Sequence, residues 1–141
     1  MDRIICLDVG DRRIGVAVSD LLGITAQGIE TYTREIDNEQ KDADYIVDLA
    51  LKQGASKILF GMPRNMNGTY GPQADKVKHF AEIVLRKWNG SYDYYDERLT
   101  TVSAEKALLE ADVSRKKRKN VIDKIAAVVI LQGYLDRNGG Y

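Results

Sequence analysis

The sequence predicts an α/β fold built on a mixed five-stranded sheet flanked by helices. Three observations carry that expectation. The apolar run Ile4-Ile5-Cys6-Leu7 reads as a strand covered on both faces. A second strand pattern follows after only Gly10-Asp11-Arg12, and a third, of mixed polarity, completes a meander. From residue 39 onward, stripes at helical spacing alternate with short apolar strands, as in strands joined by helical crossovers.

The first strand is expected over 3–9, at the centre of the sheet because it is the most apolar and comes first. The second covers 13–19. There Ile14, Val16 and Val18 share one face, while Gly15, Ala17 and Ser19 line the other and let another element approach closely. Residues 25–33 fit an edge strand. A helix over about 39–53 buries Ala43, Ile46, Val47, Ala50 and Leu51, and Gly54 ends it. Lys57-Ile58-Leu59-Phe60 is a short buried strand, followed by a Gly-, Pro- and Asn-rich loop over 61–71. Pro72 suits the first turn of the next helix, whose inward side is Val77, Phe80, Ala81, Val84 and Trp88. Tyr92–Tyr95 forms the fifth strand, and its tyrosines pack a half-buried face in preference to stacking bases. A helix capped by Thr100 or Thr101 turns Ala104, Ala107, Leu108 and Ala111 inward. A last helix opens at Asn120, with Ile122, Ile125, Ala126, Val129 and Ile130 inward.

The 141 residues fit one domain with one core, and 44% apolar with 30% charged residues is ordinary for a globular chain. Lys+Arg and Asp+Glu both number 21, so net charge alone does not point to an anionic partner. Cys6 is the only cysteine, which excludes an intrachain disulfide and suits a reducing cytosol; inside the first apolar run it reads as a core residue. The chain has no apolar leader pattern and no apolar stretch of membrane-spanning length, so it is expected to be cytoplasmic, without a membrane partner. His79, beside Lys78 on a helix, reads as a surface residue, and the sequence holds no P-loop and no dinucleotide glycine fingerprint.

Chemistry concentrates in three acids. Asp8 ends the first apolar run, where a carboxylate is costly to bury unless it is paired or serves as a ligand. Glu97 follows the fifth strand, and Asp123 lies early in the last helix. If strand five runs parallel to strand one, Glu97 reaches the same sheet edge as Asp8. Converging carboxylates suit Mg²⁺ or Mn²⁺, and two such ions roughly 3.5–4 Å apart support in-line phosphoryl displacement. Each acid also has a plainer explanation. Asp8-Val9-Gly10 could begin a simple turn, Asp96 and Glu97 could precede a helix N-terminus, and Asp123 stands three residues after the good N-cap Asn120.

The run Arg115-Lys116-Lys117-Arg118-Lys119 is expected to be a mobile segment between two helices, either a solvated linker or a clamp on phosphates; its neighbour Asp123 favours the clamp. Arg12, Arg13, Arg64 and Arg98 add charge near the same edge, and Arg13 and Arg98 join the basic run as candidate substrate contacts.

Four phrases then carry a resemblance. They are Leu7-Asp8-Val9-Gly10-Asp11-Arg12-Arg13-Ile14-Gly15-Val16-Ala17-Val18-Ser19-Asp20, Gly61-Met62-Pro63-Arg64-Asn65-Met66-Asn67-Gly68, Asp96-Glu97-Arg98-Leu99-Thr100-Thr101 and Asp123-Lys124-Ile125-Ala126-Ala127-Val128-Val129-Ile130-Leu131-Gln132. In this order, over about residues 4–135, they resemble the YqgF/RuvX family of bacterial Holliday junction resolvases. The resemblance implies an RNase H-like fold and metal-dependent hydrolysis of a nucleic-acid phosphodiester, with Mg²⁺ or Mn²⁺ held by Asp8, Glu97 and Asp123. It implies branched DNA or the 5′ end of precursor 16S rRNA as substrate. Symmetric junction cutting favours a homodimer, whereas an RNA processor can work as a monomer. Better-known resolvases carry a fourth acid near the third; here positions 126 and 127 are alanine. A three-acid site would hold a second metal loosely or depend on the substrate to complete it.

Two other classes remain to be weighed. A non-catalytic nucleic-acid module in ribosome maturation or transcription would use the same basic surface without cutting. A phosphotransferase of the actin/sugar-kinase type also begins with an Asp-x-Gly turn, but it needs two such domains, and 141 residues cannot supply both.

Overall fold

The computed structural model describes residues 3–63, 71–96 and 115–137, with the backbone alone for 115–123. Strands β1 (Arg3–Val9), β2 (Arg13–Ser19) and β3 (Ala26–Thr33) form the meander. Helix α1 (Glu39–Lys52), strand β4 (Ala55–Met62), helix α2 (Pro72–Leu85) and strand β5 (Ser91–Asp96) follow, and helix α3 (Arg115–Arg137) comes last among the described residues. The sheet order is β3-β2-β1-β4-β5, so β1 is central. It pairs antiparallel with β2 and parallel with β4, and β5 pairs parallel with β4. The carboxyl ends of β1, β4 and β5 therefore share one edge, as the meander-plus-crossover reading predicts. The helix expected from Thr100 or Thr101 lies outside the described residues, as do 64–70 of the predicted loop; Gly61 and Met62 belong to β4.

Strand alternation divides the core in two. Ile5, Leu7 and Val9 of β1 and Ile14 and Val16 of β2 pack with α1 and α2 on one face. Cys6, Ala17 and Leu59 pack with Ala127, Ile130, Leu131, Tyr134 and Leu135 of α3 on the other. The small residues of β2 do admit a close neighbour, and it is α3. At Gly28 of β3, a Cβ would stand 2.8 Å from the Lys124 side chain. The register places Val16 opposite Glu30 but Ala17 opposite Gly28, a bulge that leaves Ile29 unpaired and lets Gly28 sit beneath the helix.

Local signals account for the helix ends. Asn38 caps α1 by accepting from the Lys41 amide, and Gly54 closes it at φ +70°, where only glycine is free of strain. The apolar stripe of α1 departs from expectation at its last member. Leu51 is 65% exposed, while Asp42, an acid, is fully buried on the row Asp42-Ile46-Ala50. In α2 the predicted face is buried as read, and Trp88 beyond its end donates its indole N–H to the Ser91 carbonyl. Cys6 is buried in the core and His79 is exposed, as expected.

Two corrections concern α3. It runs unbroken from Arg115, so the basic segment is the helix's beginning and Asn120 is not its cap. Its buried residues are Ala126, Ala127, Ile130, Leu131, Tyr134 and Leu135, with Ile125 and Val129 only half-buried. Ala126 and Ala127 are as fully buried as Ile130 and Leu131. Among the described residues no helix is long and apolar enough to cross a membrane.

Tyr32 of β3 stacks on Tyr45 of α1 with ring centroids 4.2 Å apart. Burial, then the hydrogen bond to Asp42, pushes the Tyr32 phenol up to about 12; the hydrogen bond to Glu30, then burial, does the same for Tyr45. Both phenols keep their protons to higher pH when folded than when unfolded. The stability this brings is complete below pH 10 and is lost as pH rises towards 12. Urea titrations across that window are expected to show falling stability, with a shallower fall in the Tyr32→Phe/Tyr45→Phe double variant.

Candidate active site

Asp8 is the penultimate residue of β1 and pairs with Gly15 across the hairpin. Alternation from Cys6 puts its half-buried side chain on the α3 face of the sheet. Arg13, two residues from Gly15 on β2, is half-buried on that same face. The turn between them is tight. The Gly10 amide donates to the Arg13 carbonyl at 2.8 Å, and a Cβ at Gly10 would stand 2.9 Å from that oxygen, so glycine is required there.

The backbone locates the end of β5 and position 123. Leu7 pairs with Phe60 and Phe60 with Tyr94, so Asp8 is level with the Gly61–Tyr95 pair. Strand β5 ends one residue later, at Asp96, one strand removed from β1. Asp96 is thus on the edge that carries Asp8, and Glu97 lies outside the described residues.

Helix α3 descends along the sheet from this edge to the opposite one. Its Lys124 lies against Gly28, whereas Gln132 donates to the Ile24 carbonyl and accepts from the Ala26 amide at the far end of β3. Position 123 precedes Lys124 and falls towards the Asp8 edge, four residues before Ala127, which packs in the same cluster as Cys6 and Ala17. It is the ninth residue of the helix, so capping at Asn120 no longer accounts for an acid there. Among the described residues no group of three or more His, Cys, Asp or Glu side chains stands together; the side chains of Glu97 and Asp123 lie outside that description.

The predicted substrate contacts divide similarly. Arg13 is on the Asp8 face. Residues Arg115, Lys116, Lys117, Arg118 and Lys119 occupy the first turns of α3, and Arg115 stands about 12 Å further out along the axis than position 123. Arg98 lies outside the described residues, as does Arg64. Sequence reasoning missed the groups behind the Asp8 turn. Arg34, Asp42 and Gln73 contact or support it from the α1/α2 side. A signal for Asp42 was available, since it shares an i, i+4 row with Ile46 and Ala50.

The order of pairing, the helix laid across the sheet and the acid at the end of the central strand define an RNase H-like protein. Solved resolvases share this architecture. RuvC of T. thermophilus, solved in complex with a Holliday junction substrate, aligns with a TM-score of 0.62 at 13% identity, covering 99% of this chain and 97% of that one. The fowlpox virus Holliday junction resolvase aligns at 0.58 and 13% identity, covering 96% and 99%. The family model described as RuvX: Holliday junction resolvase matches residues 2–137, and the chain belongs to that family. Its relatives include proteins named "Putative pre-16S rRNA nuclease". That of Clostridioides difficile (strain 630) is 54% identical over 134 residues, 95% of this chain and 94% of its own length. That of Clostridium perfringens (strain SM101 / Type A) is 52% identical over 135 residues, 96% and 97%.

Proposed function

We propose that the protein is a cytoplasmic, metal-dependent nuclease acting through Asp8, Glu97 and Asp123, with residues 1–141 as one RNase H-like domain. Its substrate is the 5′ end of precursor 16S rRNA, branched DNA, or both. The observation that carries this reading is the placement of Asp8, on the α3 face at the edge where β5 and the start of α3 also arrive. Membership of the resolvase family and the relatives' names support nucleic acid as the substrate class.

The donor chemistry fits a hard divalent cation. Asp8 offers carboxylate oxygen from a rigid central strand, and the buried Cys6 belongs to the apolar core. Asp8, Glu97 and Asp123 would hold Mg²⁺ or Mn²⁺. Such an ion supplies Lewis acidity at the scissile phosphate. Arg13, Arg98 and the cations of 115–119 bind and orient the phosphate backbone, and the Gly10 turn holds Asp8 in place.

Digestion of a four-way DNA junction and of precursor 16S rRNA, each with Mg²⁺, with Mn²⁺ and with chelator, tests the proposal. Metal-dependent cleavage of at least one substrate is expected, and the preferred one identifies the physiological class. Binding without cleavage under every condition would leave the non-catalytic module as the better description. Replacing the five cations of 115–119 by serine is expected to weaken binding and flatten its salt dependence, by about 0.9 in log–log slope for each phosphate no longer neutralised.

A further inference from the structure

The stretch of β1 that carries Asp8 runs past its support. Pairing with β4 ends at Leu7–Phe60, so on that side Val9 and Gly10 lie beyond the last paired residue. One side chain takes the place of a strand partner there, and a second holds the turn from the β3 flank. Gln73, in the first turn of α2, donates Nε2 to the Val9 carbonyl at 3.4 Å. Arg34, immediately after β3, donates Nη1 to the Gly10 carbonyl at 2.8 Å, and its backbone amide donates to the Arg12 carbonyl, also at 2.8 Å. The same guanidinium donates Nε to Asp42 Oδ2 at 3.1 Å and lies over the Phe80 ring at 4.8 Å. Arg34 thus ties the turn to α1 and α2 together.

We propose that Arg34 and Gln73 are positioning residues, which clamp the carbonyls of Gly10 and Val9 and so fix the direction in which β1 presents Asp8. The proposal rests on the active-site reading for its consequence and on the hydrogen bonds alone for the clamp. The clamp needs a planar fork at Arg34, since one group must satisfy Asp42 and Gly10 in two directions at once; a lysine reaches one or the other. Its catalytic weight follows from geometry, because a misplacement of about 1 Å in a reacting group costs up to about 10²-fold in rate.

The test uses the full chain and two kinds of readout. Arg34→Lys is expected to speed hydrogen exchange at the Gly10 amide, which donates to the Arg13 carbonyl across the turn, about tenfold. The same variant is expected to lower kcat about tenfold on whichever substrate is cut, with KM within about twofold. Gln73→Ala, a change in a half-buried helical side chain with small effect on folding, should shift both readouts the same way by less. Tyr32→Phe is the control. It removes a different bond to Asp42, so it should lower the melting temperature while leaving Gly10 exchange and kcat alone. Unchanged exchange in both Arg34→Lys and Gln73→Ala would overturn the clamp. Faster exchange with unchanged kcat would overturn its role in positioning, as would equal losses in Tyr32→Phe. Retained cleavage in Asp8→Asn would instead sink the active-site reading, and the exchange data would still decide the clamp.

Discussion

Asp8→Asn is expected to lower cleavage by about 10³-fold or more while the protein stays folded and still binds nucleic acid. An asparagine keeps the shape of the side chain but replaces a charged oxygen donor with a neutral amide. Loss of one preorganised charge at the reacting phosphate accounts for such a fall, about 4 kcal/mol in activation free energy. Stability should move the other way or not at all. The backbone pair with Gly15 is untouched, and a half-buried amide avoids the cost of holding a charged carboxylate partly out of water. Cleavage rate, melting temperature and binding affinity measured on one preparation separate these effects. A variant that cuts as fast as the parent would remove Asp8 from the site.

The position of Asp8 near the end of the central strand is legible in the sequence, because Ile4-Ile5-Cys6-Leu7 is a continuous apolar run. The topology that makes its edge a meeting place is legible too, since a three-residue connection forces a hairpin and later strands arrive through helices. The neighbourhood of position 123 is not. Asn120 is a good cap and apolar residues begin at Val121, so the sequence pattern places the helix start there. It starts at Arg115 instead. Arginine and lysine are good helix formers, and their mutual repulsion does not outweigh that preference here. The helix's phase is also hard to read, because bulky Ile125 and Val129 dominate the apolar pattern. Against a sheet face lined by Ala17 and Gly28, Ala126 and Ala127 are fully buried, while Lys124 and Val128 reach Gly28.

Asp42 shows why the support behind the site is hidden. It belongs to a stretch, 30–48, that holds seven acids against Arg34 and Lys41, and in composition nothing separates the buried one from the solvated ones. Its i, i+4 row with Ile46 and Ala50 marks it for burial, but its partners come from tertiary structure, which folds the end of β3 back over α1 so that Tyr32, Arg34 and Glu35 all meet that carboxylate.

Asp42→Ala is accordingly expected to be the most destabilising single change among the described polar residues. The carboxylate is fully buried and accepts from Tyr32 Oη at 2.9 Å, the Glu35 amide at 3.0 Å and Arg34 Nε at 3.1 Å. Removing it strands a largely buried guanidinium and leaves two further donors without their acceptor, at a cost of about 3–5 kcal/mol. Against a total of roughly 5–15 kcal/mol for a domain of this size, that is a large share, and the melting temperature should fall by about 10 °C or more. Asp42→Asn should lose less, since its amide oxygen still accepts. The double variant Arg34→Leu/Asp42→Leu removes both charges and should recover part of the loss, because an apolar pair of similar volume often replaces a buried ion pair without penalty. Yet that double variant also releases the Gly10 carbonyl from Arg34. Stability and turnover therefore separate in it: denaturant titration should report a chain more stable than Asp42→Ala, while kcat should stay as low as in Arg34→Lys. Recovery of both together would mean that the ion pair serves folding alone.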